Sequence, residues 1–109
     1  MFYYWDDWNS EHATRHGISQ SESIYVVNHR QPPDPGPVGD EKLRVWGKTS
    51  TGRLIQVIYA EIALDRIRYD ELEYEDILYL ESDGGPYFYV IHARQLTKTE
   101  KSQFKRRRR

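Results

Sequence analysis

The chain reads as an α+β domain: an antiparallel β-sheet of about four strands, with two helices before it and one after. Three observations predict this. Two capping boxes, Ser19-Gln-Ser-Glu22 and Thr97-Lys-Thr-Glu100, mark helix starts, because a hydroxyl and a carboxylate at that spacing satisfy backbone N–H groups that a first turn leaves free. Runs over Lys42–Lys48, Arg53–Ile62 and Tyr87–Ile91 are alternating, or rich in β-branched and aromatic residues, as strands are. Thr49-Ser-Thr-Gly52 is a turn between the first two of these runs, so they form a hairpin. At 109 residues the chain, 1–109, holds one domain with a single modest core.

Taken in order, Phe2-Tyr-Tyr-Trp5 is short and aromatic, an edge strand. Asp6 and Asp7 supply N-cap chemistry for a helix beginning near Trp8. Trp8, His12 and His16 follow at i, i+4 and i+8 as one stripe, and Gly17 suits the C′ position. A histidine pair at i, i+4 can bind metal, but no third ligand is evident, so the favoured reading packs these imidazoles beside Trp8 with hydrogen bonds to backbone. The Ser19 box starts a second helix through about His29, with Ile24 and Val27 on one face.

Residues 31–40 hold four prolines and read as a surface linker without regular structure. In the hairpin, Lys42, Arg44, Lys48 and Arg53 fall on or near one sheet, as either a solvated basic face or a phosphate-binding one. Residues 63–86 form an acidic insertion in which Leu72, Ile77 and Leu80 fit a short amphipathic helix, although Ile77–Leu80 could equally begin a strand. Tyr87–Ile91 is expected at the middle of the sheet, buried on both faces. Strict alternation then sets His92 and Arg94 on the face that carries Phe88 and Val90, and Ala93 and Ile91 on the other. The final helix starts at Lys98, has Phe104 as its anchor, and ends in a basic tail over 105–109.

Cysteine is absent, which excludes disulfides and thiolate metal sites. The opening residues have no basic n-region, long apolar stretch or small-residue cleavage site, so neither signal peptide nor membrane span is expected and the cytoplasm is the default compartment. Net charge is −1 but unevenly spread: residues 60–86 carry 2 basic and 9 acidic side chains, residues 87–109 carry 8 and 1. A basic patch is therefore compatible with an acidic pI.

Three blocks resemble the BrnT-type toxin family, the toxin halves of bacterial type II toxin–antitoxin pairs with a RelE-like ribonuclease fold. The first is Trp5-Asp-Asp-Trp-Asn-Ser-Glu-His12 with Arg15-His-Gly-Ile18, similar to W-D-x-W-N-x-x-H…R-H-G-[VI]. The second is Gly47-Lys-Thr-Ser-Thr-Gly-Arg53, similar to G-[RK]-T-x-x-G-R. The third is Ile91-His-Ala-Arg-Gln-Leu-Thr97 with Glu100, similar to I-[ST]-A-R-x-[MA]-T…E; His92 stands where that pattern has Ser or Thr. The resemblance implies RNA as substrate, RNA cleavage or translation inhibition, and neutralisation by a small DNA-binding antitoxin, with room for a homodimer inside the toxin–antitoxin complex. It carries the family's arginines onto Arg53 and Arg94.

Metal-independent cleavage, in which a ribose 2′-OH attacks the adjacent phosphodiester, needs a proton acceptor, a proton donor and cations over the developing charge. Arg94, at a strand end beside a helix start, is the expected charge stabiliser, assisted by Arg53. His92 has the ring chemistry for proton transfer near neutral pH. Arg44, Lys48, Lys98 and Lys101 are the expected RNA-binding cations, and no cofactor or metal is required. The rival expectation is a non-catalytic protein- or nucleic-acid-binding module on the same fold.

Overall fold

The computed structural model describes residues 1–107, so the last two residues of the basic tail lie outside the described residues. The protein is α+β. A five-stranded sheet runs in the order β1(Phe2–Tyr3)-β5(Tyr87–Gln95)-β4(Leu54–Ile62)-β3(Lys42–Lys48)-β2(Gly36–Pro37), with helices α1(Asp7–His12), α2(Gln20–Asn28), α3(Tyr74–Ser82) and α4(Lys98–Arg107). All pairings are antiparallel except β1 with β5, which is parallel, so the sheet is mixed rather than purely antiparallel. The long, continuous strand β5 is thus not the middle of the sheet; β4 is, and β5 is flanked by only two residues of β1. Of the run expected to be buried on both faces, Phe88 and Val90 are buried, while Tyr87, Tyr89 and Ile91 are half-buried.

The linker also differs from expectation. Gly36 and Pro37 pair with Arg44 and Leu43 as a second edge strand. Proline excludes a central strand, yet at an edge its missing N–H can face outward without loss. The acidic insertion forms two single-turn 3-10 helices, Leu64–Arg66 and Tyr69–Glu71, and then α3; the choice between helix and strand for Ile77–Leu80 falls to helix.

Local chemistry accounts for the helix starts. Ser19 and Glu22 close the predicted capping box on α2, and Thr97 and Glu100 close the one on α4. A third box opens α1, where Asp6 accepts from the Asn9 backbone and the Asn9 side chain accepts from the Asp6 backbone. Helix α1 stops at His12, short of Gly17, so His16 lies in the following turn and not on a continuous stripe with Trp8.

The sheet has two differently covered faces. The inner face carries Val45, Ile55, Val57, Tyr59, Phe88, Val90 and Ala93, packed with Ala13, Ile18, Val26 and Val27 into the main core. The outer face is covered only at its ends. At one end Trp46, Leu54 and Leu96 pack under Phe104 of α4; at the other Phe2, Tyr4, Tyr87 and Tyr89 pack with Ile67, Leu72 and Leu80 of the acidic insertion.

Strict alternation fails in β5. Ile58 pairs with His92 but Tyr59 pairs with Val90, so Ile91 is an extra residue, a β-bulge. Phe88 and Val90 consequently share the inner face with Ala93, whereas Tyr89, His92 and Arg94 share the outer one. The expectation that Phe88 and Val90 lie with His92 and Arg94 is overturned by that single inserted residue.

The inner face is close-packed at Gly47, where a Cβ would sit 2.8 Å from Val26 Cγ1. Val26 is buried and β-branched, with no free rotamer to yield. Gly47→Ala should therefore cost about 1–3 kcal/mol, measured as a lower denaturation midpoint with unchanged m-value.

Candidate nucleic-acid interface

Between its two covered ends the outer face leaves a strip open. Cross-strand registers assign the rows of this face: Trp46, Gln56 and Arg94 lie abreast at the end covered by α4, with Trp46 and Gln56 buried, and the strip follows with Arg44, Ile58 and His92, then Lys42, Ala60 and Tyr89. Trp8 from α1 stacks over Tyr89 at 6.3 Å, and His16 from the turn after α1 meets His92 edge-on at 5.0 Å between ring centroids. A cleft of about 760 Å³ opens over the last of these rows, lined by Trp8, Lys42, Ala60, Tyr89 and Ile91. Its lining is mixed in charge, with Asp40, Glu41 and Glu61 as well as Lys42 and Arg66.

Arg94 lies on this face, but its terminal nitrogens are engaged. Nη1 and Nη2 donate to Glu100 Oε1 and Oε2 at 2.7 and 2.9 Å, a bidentate pair, and Nη1 also donates to the Gln95 carbonyl. The same Glu100 accepts from the Thr97 backbone N–H at 2.8 Å, so one carboxylate caps α4 and ties it to β5. The guanidinium holds Glu100 down to about pKa 2, assisted by that backbone bond, while the carboxylate pushes Arg94 up.

Arg53 is elsewhere. It precedes Leu54, which belongs to the outer face, and so turns inward, where Nη1 donates to Glu22 at 3.2 Å and to the Gly17 carbonyl at 3.2 Å. The expected meeting of Arg53 and Arg94 over one phosphate is thereby corrected: they project from opposite faces of the sheet, and each holds a helix to a strand through a carboxylate.

Arg44 and Lys42 are the cations of the strip without such a partner among the described residues, and Arg44 shares its row with His92. The Arg44 guanidinium lies 5.0 Å from the Trp46 ring, its Nε is buried with no hydrogen bond, and among the described residues no carboxylate reaches it. Lys48 stands at the other end of β3, in a separate cleft with Tyr25, His29 and Arg107. Lys98 is exposed and Lys101 half-buried on α4. Of the expected site residues the outer face therefore unites Arg44, His92 and Arg94, and separates them from Arg53.

The four histidines divide cleanly. His12 Nδ1 and His29 Nδ1 bond the carbonyls of Trp8 and Tyr25, each 2.8 Å away, and each ring stacks on the aromatic four residues before it. This is the packing expected of His12. His16 and His92, by contrast, make no hydrogen bond to another protein group among the described residues; each meets the other. Burial first, and then the charges of His16, Arg94 and Arg15, push His92 below its ordinary 6.5. Tyr89 is pushed up by burial and by donating to both Asp6 oxygens, so it remains a fixed phenol. Sequence reading assigned His16 to the structural stripe of a longer helix; the early stop of α1 is what frees it. Among the described residues no three His, Asp or Glu side chains converge into a metal site.

The Glu100 pair has a pH signature. Because the folded carboxyl is depressed, its stabilisation is complete above its ordinary 4.5 and is lost as pH falls from there towards about 2. Denaturation across that window should show Glu100→Gln losing less stability with acid than the parent. Glu100→Ala at pH 7 should cost about 1–2 kcal/mol, from a lost cap and a partly exposed ion pair.

No family model, curated protein or solved structure matches the chain, and the chemistry of the strip is read from its own residues.

Proposed function

We propose that this protein is a BrnT-like toxin that binds RNA along the open strip of its outer face and cleaves it without a metal, under the control of a cognate antitoxin. One observation carries the reading: Arg44 and His92 lie in the same row of the outer face, and among the described residues no carboxylate pairs with the first and no protein group hydrogen-bonds to the second. An unpaired guanidinium is available to a phosphate, and a neutral imidazole two strand spacings away, roughly 10 Å, is available to the ribose beside it. Exposed Trp8 and half-buried Tyr89 offer ring faces on which unpaired bases stack. Arg94 acts here through its field and through the helix it anchors, since its own nitrogens are committed to Glu100. The exposed cations of α4, including Lys98, extend the positive surface next to the strip.

The second reading, a binding module without catalysis, draws on two facts. Both family-like arginines serve ion pairs, and α3 exposes Tyr74, Leu78 and Tyr79 beside Glu73 and Glu75, a surface suited to a protein partner. Expression in a bacterium separates the readings. The toxin should arrest growth and be rescued by the product of the neighbouring reading frame; the module should do neither.

For the purified protein, Arg44→Ala should weaken RNA binding alike across sequences and reduce the slope of log affinity against log salt by about 1. Arg53→Ala should lower the denaturation midpoint and leave that slope unchanged. Equal affinity and slope for Arg44→Ala and the parent would remove the strip as the RNA surface.

A further inference from the structure

We propose that His16 and His92 act as an acid–base pair on the phosphodiester, His92 taking the proton of the attacking 2′-hydroxyl and His16 giving one to the departing 5′-oxygen. This rests on the RNA-cleaving reading above and names the groups that would perform it. Three observations support it.

The first is placement. The two imidazoles come from separate elements, the turn after α1 and strand β5, and meet edge-on with centroids 5.0 Å apart at 63°. His92 lies on the row that carries Arg44, and His16 reaches that row through its contact with His92. The second is availability. His12 and His29 spend Nδ1 on a carbonyl, whereas among the described residues no protein group hydrogen-bonds to either ring of the His16–His92 pair. Two imidazoles with uncommitted nitrogens, side by side on an open surface, provide both an acceptor and a donor within one phosphodiester's reach. The third is electrostatic. The charged groups acting on His92 are His16 and Arg15 from the turn and Arg94 from its own strand, while Arg44 stands across the sheet and Ile58 between them is apolar. With burial acting in the same direction, His92 is held below 6.5 and is neutral, ready to accept, at pH 7.

The step balances without a co-reactant. The 2′-O–H proton passes to His92 as the 2′-oxygen bonds to phosphorus; the bond from phosphorus to the 5′-oxygen breaks, and that oxygen receives the proton held by His16. The products are a 2′,3′-cyclic phosphate and a 5′-hydroxyl. Solvent exchange returns each ring to its starting state. Tyr89 lies in the row beside His92, with Trp8 stacked over it, where the bases flanking the scissile bond would lie.

The test uses the full chain and a short RNA with one cleavable linkage. Both His16→Gln and His92→Gln should lose about 10²–10⁴-fold in rate, and the double variant should be little worse than either, as for groups working in one step. For the parent, the rate should fall as pH drops and His92 becomes protonated; His92→Gln should lack that acid limb. Replacing the 5′-oxygen with sulfur supplies a leaving group that needs no proton. On that substrate His16→Gln should recover to near the parental rate and His92→Gln should not, a split that a merely structural histidine would not produce. A His16→Gln protein as active as the parent on the oxygen substrate, or unrescued on the sulfur one, overturns the proposal. A parent that cleaves RNA while both histidine variants cleave it equally well overturns this pair alone; a parent that leaves RNA intact overturns the RNA-cleaving reading as well.

Discussion

The pairing of β4 with β5, broken by one extra residue at Ile91, is the constraint on which the architecture turns. Side chains on a strand alternate, so a regular β5 would place Phe88, Val90, His92 and Arg94 on a single face. The core needs Phe88 and Val90 at one end of the strand and Ala93 at the other, positions of opposite parity. A bulge reconciles them. It also collects Tyr89, His92 and Arg94 on the outer face, where a regular strand would send Tyr89 away from the other two. Bulges recur beside functional sites because they re-aim side chains in this way.

Coverage of that outer face follows from charge as well as from packing. Helix α4 is held at one end by Phe104 over Trp46 and Leu96, by the Arg94–Glu100 pair, and by Arg107 donating to Asp34 at 3.0 Å while stacking on Trp46 at 4.5 Å. The acidic insertion caps the other end through Ile67, Leu72 and Leu80, leaving carboxylates such as Glu73 and Glu75 exposed. Two uneven halves of the chain, one acidic and one basic, end up at opposite borders of the same strip.

Much of this was legible from local chemistry. Capping boxes at Ser19 and Thr97 depend on residues three apart, and they formed as read. The box at Asp6 escaped notice because its N3 residue is Asn9, a less usual partner than Glu or Gln. What could not be read were the second uses of the same groups. Glu22 and Glu100 signalled helix starts correctly, yet each also accepts an arginine from a strand, and that depends on where the helix lands. Nor does the sequence mark the bulge: Ile91 is as acceptable on one face as on the other. Short edges are equally silent, since two residues of β1 or β2 carry no period.

A division of labour within the three family-like blocks follows from these contacts. Asn9 donates to the Tyr4 carbonyl, Gly47 admits Val26, and Thr49 accepts from the Arg53 backbone. Arg53 and Arg94 bind carboxylates, Ala93 fills the core, and Thr97 caps a helix. Each of these residues is accounted for by holding the fold together, so their presence speaks to shape before it speaks to activity. His16 and His92 sit in the same blocks without any such duty: neither fills the core, caps a helix or bonds a backbone group. Arg44, outside the blocks, likewise stands without a carboxylate among the described residues. Burying part of a guanidinium and an imidazole without partners costs stability that packing does not return. Arg53, Arg94 and Arg107 are satisfied by carboxylates, whereas Arg44 and His92 share one row and His16 meets His92 from the turn after α1, so the polar groups that the fold leaves unpaired among the described residues adjoin on the outer face instead of being scattered over it.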